Sequence, residues 1–125
     1  MATRSAETKK HISFTKYAKT ATLEEIKRLE KLLVDSPQNR ELLDWLAFAY
    51  YSHSVLDKAI EYYRRLVEMC PDNAGYHYYL GNSLYKANED GAARVEWEKV
   101  LALDRNGQFT KSVKEKIAAI DGDGS

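Results

Sequence analysis

The sequence predicts an all-α protein, an α-solenoid of antiparallel helix pairs, and three observations carry that reading. Residues 40 to 107 hold one 34-residue pattern written twice. Leu43-x2-Leu46-Ala47-x2-Tyr50, followed by Ala59-x3-Tyr63, Leu66 and Pro71, returns as His77-x2-Leu80-Gly81-x2-Leu84, followed by Ala93-x3-Trp97, Val100 and Arg105. Within each copy the apolar residues recur at the spacing of an amphipathic helix, not at the alternation of a strand. Only two prolines, Pro37 and Pro71, interrupt a chain rich in Leu, Ala, Glu and Lys, and both fall at repeat seams, so helix-favouring residues run unbroken between them.

The N-terminal residues are the least regular. Arg4, Lys9, Lys10, Lys16 and Lys19 stand against Glu7 alone in residues 1–20, with enough Ser and Thr to weaken a helix. Stepping back by the repeat period places Ile12 under Leu46 and Leu80, Phe14 under Phe48, and Tyr17 under Tyr51 and Tyr85. The register predicts a degenerate first helix over residues 8–19, although Lys16 falls where the other copies have Tyr50 and Leu84.

Thr22-Leu23-Glu24-Glu25 is a capping box, which opens a helix by satisfying backbone N–H groups that have no intrahelical acceptor. Leu23, Ile26, Leu29, Leu32 and Leu33 continue it to Ser36, where Pro37 disfavours further helix. In the middle copy Arg40–Ser52 and Leu56–Met69 form an antiparallel pair across a turn at His53-Ser54. Ala47 and Ala59 lack bulk where two helix axes must approach closely, and Gly81 and Ala93 repeat that arrangement. Tyr63 and Trp97 fill the adjoining space.

The third copy predicts helices from Ala74 to about Ala87 and from Asp90 to about Leu103, with Asn88-Glu89-Asp90-Gly91 as turn and cap, and a stop at Arg105-Asn106-Gly107. Phe109, Val113, Ile117 and Ile120 form a narrow apolar stripe among Lys111, Lys114, Glu115 and Lys116, the pattern of a helix covering the end of a stack. The expected organisation is a tail over residues 1–7, a degenerate first repeat over 8–39, repeats over 40–73 and 74–107, a capping helix over 108–120 and a tail over 121–125.

The large-x2-Leu-small-x2-aromatic run, the Ala-x3-aromatic that follows it and Pro71-Asp72-Asn73 together resemble the tetratricopeptide repeat (TPR) family. The resemblance implies a right-handed superhelix whose leading helices line a concave side that holds a partner's extended peptide or helix. Carried onto this sequence, it makes Trp45, Phe48, Tyr79, Asn82 and Lys86 the groove, with Asp44, Tyr51, Tyr78 and Tyr85 along its edges. The residues agree with that assignment. Leu43, Leu46, Ala47 and Tyr50 share the core face of their helix, which leaves Trp45 and Phe48 opposite, on a face where solvent alone would not call for aromatics. Rigid aromatics give contact area at small entropic cost, and an amide such as that of Asn82 can donate to and accept from a peptide backbone. Some TPR domains clamp a C-terminal carboxylate with Lys and Asn, but Asp44 and Phe48 occupy those positions here, against that ligand class.

The function expected is therefore a protein–protein interaction adaptor or scaffold. The alternatives are a self-associating structural oligomer, or a binder of nucleic acid or acidic lipid through the basic N-terminus. Lys plus Arg (19) balance Asp plus Glu (19), so there is no global pull toward nucleic acid. No apolar run of about 18 residues predicts a membrane span. A single cysteine, Cys70, and no secretory signal suggest a reducing cytoplasm. No cofactor or metal site is expected, since His11, His53 and His77 lack paired ligand spacing and Asp121 and Asp123 lack the rest of a calcium loop. No acid–base or nucleophile constellation points to an enzyme.

Overall fold

The computed structural model describes residues 18–122. Among them every regular element is helical, and the chain is an all-α helical repeat. It divides into two compact units, residues 1–62 and 63–125.

In the N-terminal unit residues 18–20 are helical; the rest of the helix predicted over residues 8–19 lies outside the described residues. Helix α1 (Leu23–Glu30) opens as the capping box predicts. The Thr22 hydroxyl accepts from the Glu25 N–H at 3.1 Å and gives its own proton to the Glu25 carboxylate. The helix then tightens into a 3-10 turn, Lys31–Val34, a common way for a helix to finish ahead of a proline. Ile26 and Leu33 are buried, whereas Leu32 and Val34 are 52% and 81% exposed.

Helix α2 (Arg40–Ser52) starts at Asn39, whose side chain accepts from the Leu42 N–H at 3.1 Å, and packs against α1. Leu43, Leu46, Ala47 and Tyr50 are buried as the periodicity requires. Ser54 then takes a left-handed conformation, φ 58°, and Val55 returns its N–H to the Tyr50 carbonyl at 2.9 Å. The carbonyl of Ala21 accepts from Nε2 of His53 at 2.6 Å, which fastens this turn to the stretch before α1. Helix α3 (Leu56–Met69) follows, and the boundary between the units falls within it.

The C-terminal unit repeats the grammar. Asn73 caps α4 (Ala74–Lys86) by accepting from the Tyr76 N–H at 3.0 Å. Asn88 takes φ 66° at the turn, and Glu89 returns its N–H to Leu84 at 2.9 Å. Helix α5 (Asp90–Leu103) packs along α4. The cap expected from Asn88–Gly91 differs: Glu89 is the N-cap and its side chain makes no capping bond, the left-handed Asn88 supplying the turn alone.

At Gly81 the indole of Trp97, wholly buried, lies where a β-carbon would stand. This close approach is what the small residue serves, as its place in the repeat suggested.

Helix α5 ends at Leu103 with an extended Asp104, not with a left-handed Asn106-Gly107. The following turn is built by Thr110, whose hydroxyl donates to the Asp104 carbonyl at 2.7 Å and accepts from the Gly107 N–H at 3.1 Å. Helix α6 (Thr110–Gly122) packs on α5, with Val113 fully buried. It runs past residue 120, so Asp121 is not part of a loose tail. Arg94 pairs with the Asp121 carboxylate and holds the last turn. Tyr78 and Ser112, one repeat period of 34 apart, share a hydrogen bond at 3.0 Å. Helix α6 thus stands to α4 in the register of a further leading helix.

Candidate partner-binding faces

The predicted contact residues fall on α2 in one unit and on α4 in the other. On α2, Phe48 and Tyr51 are half-buried, with ring centroids 6.2 Å apart at 30°; Asp44 is also half-buried. Trp45 is different, being 3% exposed. Leu42, Trp45 and Ala49 are buried along with the expected core residues, so α2 is enclosed on more sides than one amphipathic stripe provides, and the wheel position opposite Leu43 is not open to solvent. As a direct contact residue Trp45 is therefore corrected to a packing residue.

On α4 the aromatics build a cluster. Tyr79 lies 5.9 Å from the buried Tyr63 and 5.2 Å from Tyr78, and Tyr78 stacks on Phe109 at 4.3 Å and 21°. Tyr78 and Tyr79 both remain half-buried, Tyr85 is 44% exposed, and Lys86 is exposed. Asn82 is 8% exposed, and its amide oxygen accepts from the Trp97 indole N–H at 3.2 Å. The carbonyl expected to meet a peptide backbone is thus already used inside the protein, and Asn82 too is corrected to a packing residue.

Two polar networks went unforeseen. In the N-terminal unit the Glu30 carboxylate accepts from the hydroxyls of Tyr50, at 2.8 Å, and of Tyr62, and pairs with Lys58 at 3.5 Å. Desolvation pushes Glu30 up, but the bonds from Tyr62 and Tyr50 and the charge of Lys58 outweigh it and leave it below the usual carboxylate value. Burial, then the bond to Glu30, raises both phenols above their ordinary range. In the C-terminal unit His77, 4% exposed, places Nε2 at 2.8 Å from the Pro71 carbonyl and Nδ1 at 2.8 Å from the Glu96 carboxylate, whose other oxygen takes Lys99 at 3.2 Å. Both ring nitrogens thus lie against oxygen atoms of other segments of the unit. These groups join separate helices and serve packing.

The family model described as a TPR repeat matches residues 55–88. This chain carries a TPR repeat. The matched span takes in α3 and α4, a trailing helix and the leading helix after it, one full period of the pattern. No curated protein matches the sequence. A TPR repeat suggests a protein–protein interaction module, and TPR families are generally non-enzymatic. Among the described residues no helix is long and apolar enough to cross a membrane, and no group of three or more His, Cys, Asp or Glu is placed to hold a metal ion.

Proposed function

We propose that this TPR protein is a cytoplasmic adaptor that binds a partner peptide or helix through the aromatic side chains of its leading helices, acting by binding and not by catalysis. The observation that carries the reading is the aromatic set left partly open on those helices: Phe48 and Tyr51 on α2, and Tyr78, Tyr79 and Tyr85 on α4. Asp44 accompanies the rings on α2 and Lys86 those on α4. Trp45 and Asn82 hold the helices in place beneath. Such rings favour an apolar or aromatic segment, and a short array binds with a Kd on the order of micromolar, about −8 kcal/mol.

Affinity capture with the wild type and with a Phe48→Ser, Tyr85→Ala double variant tests this. A partner held by the first and lost by the second, at unchanged helical content, supports the reading. Equal capture by both would reject the aromatic faces. Light scattering of the purified protein identifies the self-associating alternative directly, through a mass above one chain.

A further inference from the structure

The N-terminal unit carries a second feature, on a face that the leading helices do not supply. An open cleft of about 510 Å³ lies between α1 and the start of α3, with Val34, Val55 and Tyr50 along its apolar side. Val34 is the most exposed large apolar side chain of the described residues, at 81%.

The charges around the cleft are unequal in availability. Glu30 is saturated by Tyr50, Tyr62 and Lys58, and Lys58 is drawn to Glu30 and, at 3.9 Å, to Glu61. Lys27 and Lys31, one helical turn apart on its rim, have no ionic partner among the described residues, and neither has Arg28 next to them. Besides the engaged Glu30, Asp57 supplies the one other carboxylate of the lining. An occupant must therefore present acid to Lys27 and Lys31, an apolar side chain to Val34 and Val55, and no acid to Asp57.

We infer that this cleft docks an acidic amphipathic segment of a partner protein, a site separate from the aromatic faces of α2 and α4. Charge selects that occupant over the others. The chain's own residues 1–17 carry Arg4, Lys9, Lys10 and Lys16 against Glu7 and would set cation against cation. A second copy meeting this face through a two-fold axis would oppose Lys27 and Lys31 with themselves. A flat anionic membrane would press charge onto Asp57 as well as onto the lysines.

The test uses the full chain and three synthetic peptides: one with glutamates flanking a Leu-Ile pair, one with lysines in place of the glutamates, and one with serines in place of the Leu-Ile pair. Binding is read by fluorescence anisotropy and by backbone amide shifts. The acidic amphipathic peptide should shift Lys27, Lys31 and Val34, bind more weakly as salt rises, and lose affinity at least about tenfold in a Lys27→Glu, Lys31→Glu variant. Val34→Asp, at a site too exposed to disturb folding, should do the same, whereas Phe48→Ser with Tyr85→Ala should leave this binding intact. The lysine and serine peptides should not bind.

No binding of the acidic peptide, shifts confined to α4, or equal affinity in both α1-face variants would overturn the inference. Tight capture of phosphatidylserine vesicles without peptide binding would overturn it in favour of a lipid surface. Loss of partner capture by the aromatic variant, with peptide docking unaffected, separates the fate of this site from that of the aromatic faces.

Discussion

Exchanging Gly81 for alanine puts a methyl group against the indole of Trp97. The added β-carbon would sit 2.5 Å from Cδ1 and 3.0 Å from Cε2, with Nε1 as near. Carbon atoms pack best at roughly 3.5–4.0 Å, so the ring must retreat by about 1 Å. It has little room to do so, since Trp97 is fully buried and its N–H is tied to Asn82 at 3.2 Å. Overpacking of this kind costs about 1–3 kcal/mol, and a weakened bond to Asn82 adds up to about 1 kcal/mol. Alanine's better helix propensity returns roughly 0.5–1 kcal/mol. The expected net loss is about 1–3 kcal/mol.

Urea denaturation followed by far-UV circular dichroism and tryptophan fluorescence should show a lower midpoint at unchanged slope. Gly91→Ala is the internal control. Gly91 lies exposed in the first turn of α5 with nothing within 4 Å of an added β-carbon, so the same substitution there should stabilise by about 0.5–1 kcal/mol. A Gly81→Ala protein as stable as the wild type, or two glycine variants shifting alike, would refute the close-approach argument.

Other outcomes follow from the networks and turns. Ser54→Gly relieves a left-handed backbone that costs a side-chain-bearing residue about 1–2 kcal/mol, and should raise the melting point for a net gain of about 0.5–1 kcal/mol. Because Glu30 is held below its usual value of 4.5, its contribution is present above that pH and fades as acid carries the pH through the lower folded value. Tyr50 and Tyr62 are raised, so theirs is present below about pH 10 and fades as the pH climbs past it; urea midpoints across pH should fall at both ends, and Glu30→Gln should flatten the acid limb. Phe109→Ala removes the stack on Tyr78 at a half-buried site and should cost about 2–3 kcal/mol, with hydrogen exchange quickening in α6 and unchanged in α1.

The repeat period made the helices legible because it fixes which positions recur. Gly81 had to be small and Trp97 large for the same reason, and the structure shows these two meeting, with Ala93 fully buried. Asn39 and Asn73, a period apart and each before a helix, carried an N-cap signal that the apolar pattern overshadowed. Burial of Trp45 and Asn82 was not legible, because a helical wheel orders the residues of one helix and says nothing of how many sides its neighbours cover. Nor were the Glu30 and His77 networks. Tyr50, Tyr62 and Glu30 are brought together by packing across 20 and 32 residues, and each looks like an ordinary surface or core residue when read alone.

The bond from Tyr78 to Ser112 has a consequence for growth of the stack. Helix α6 occupies a leading-helix register, yet the positions matching Leu80 and Gly81, which admit α5 to α4, are Lys114 and Glu115, both exposed. A trailing helix seated there would have to bury both charges. Those two side chains set α6 apart from α4, and exchanging them for leucine and glycine is the change that would let a hairpin pack on α6 as α5 packs on α4.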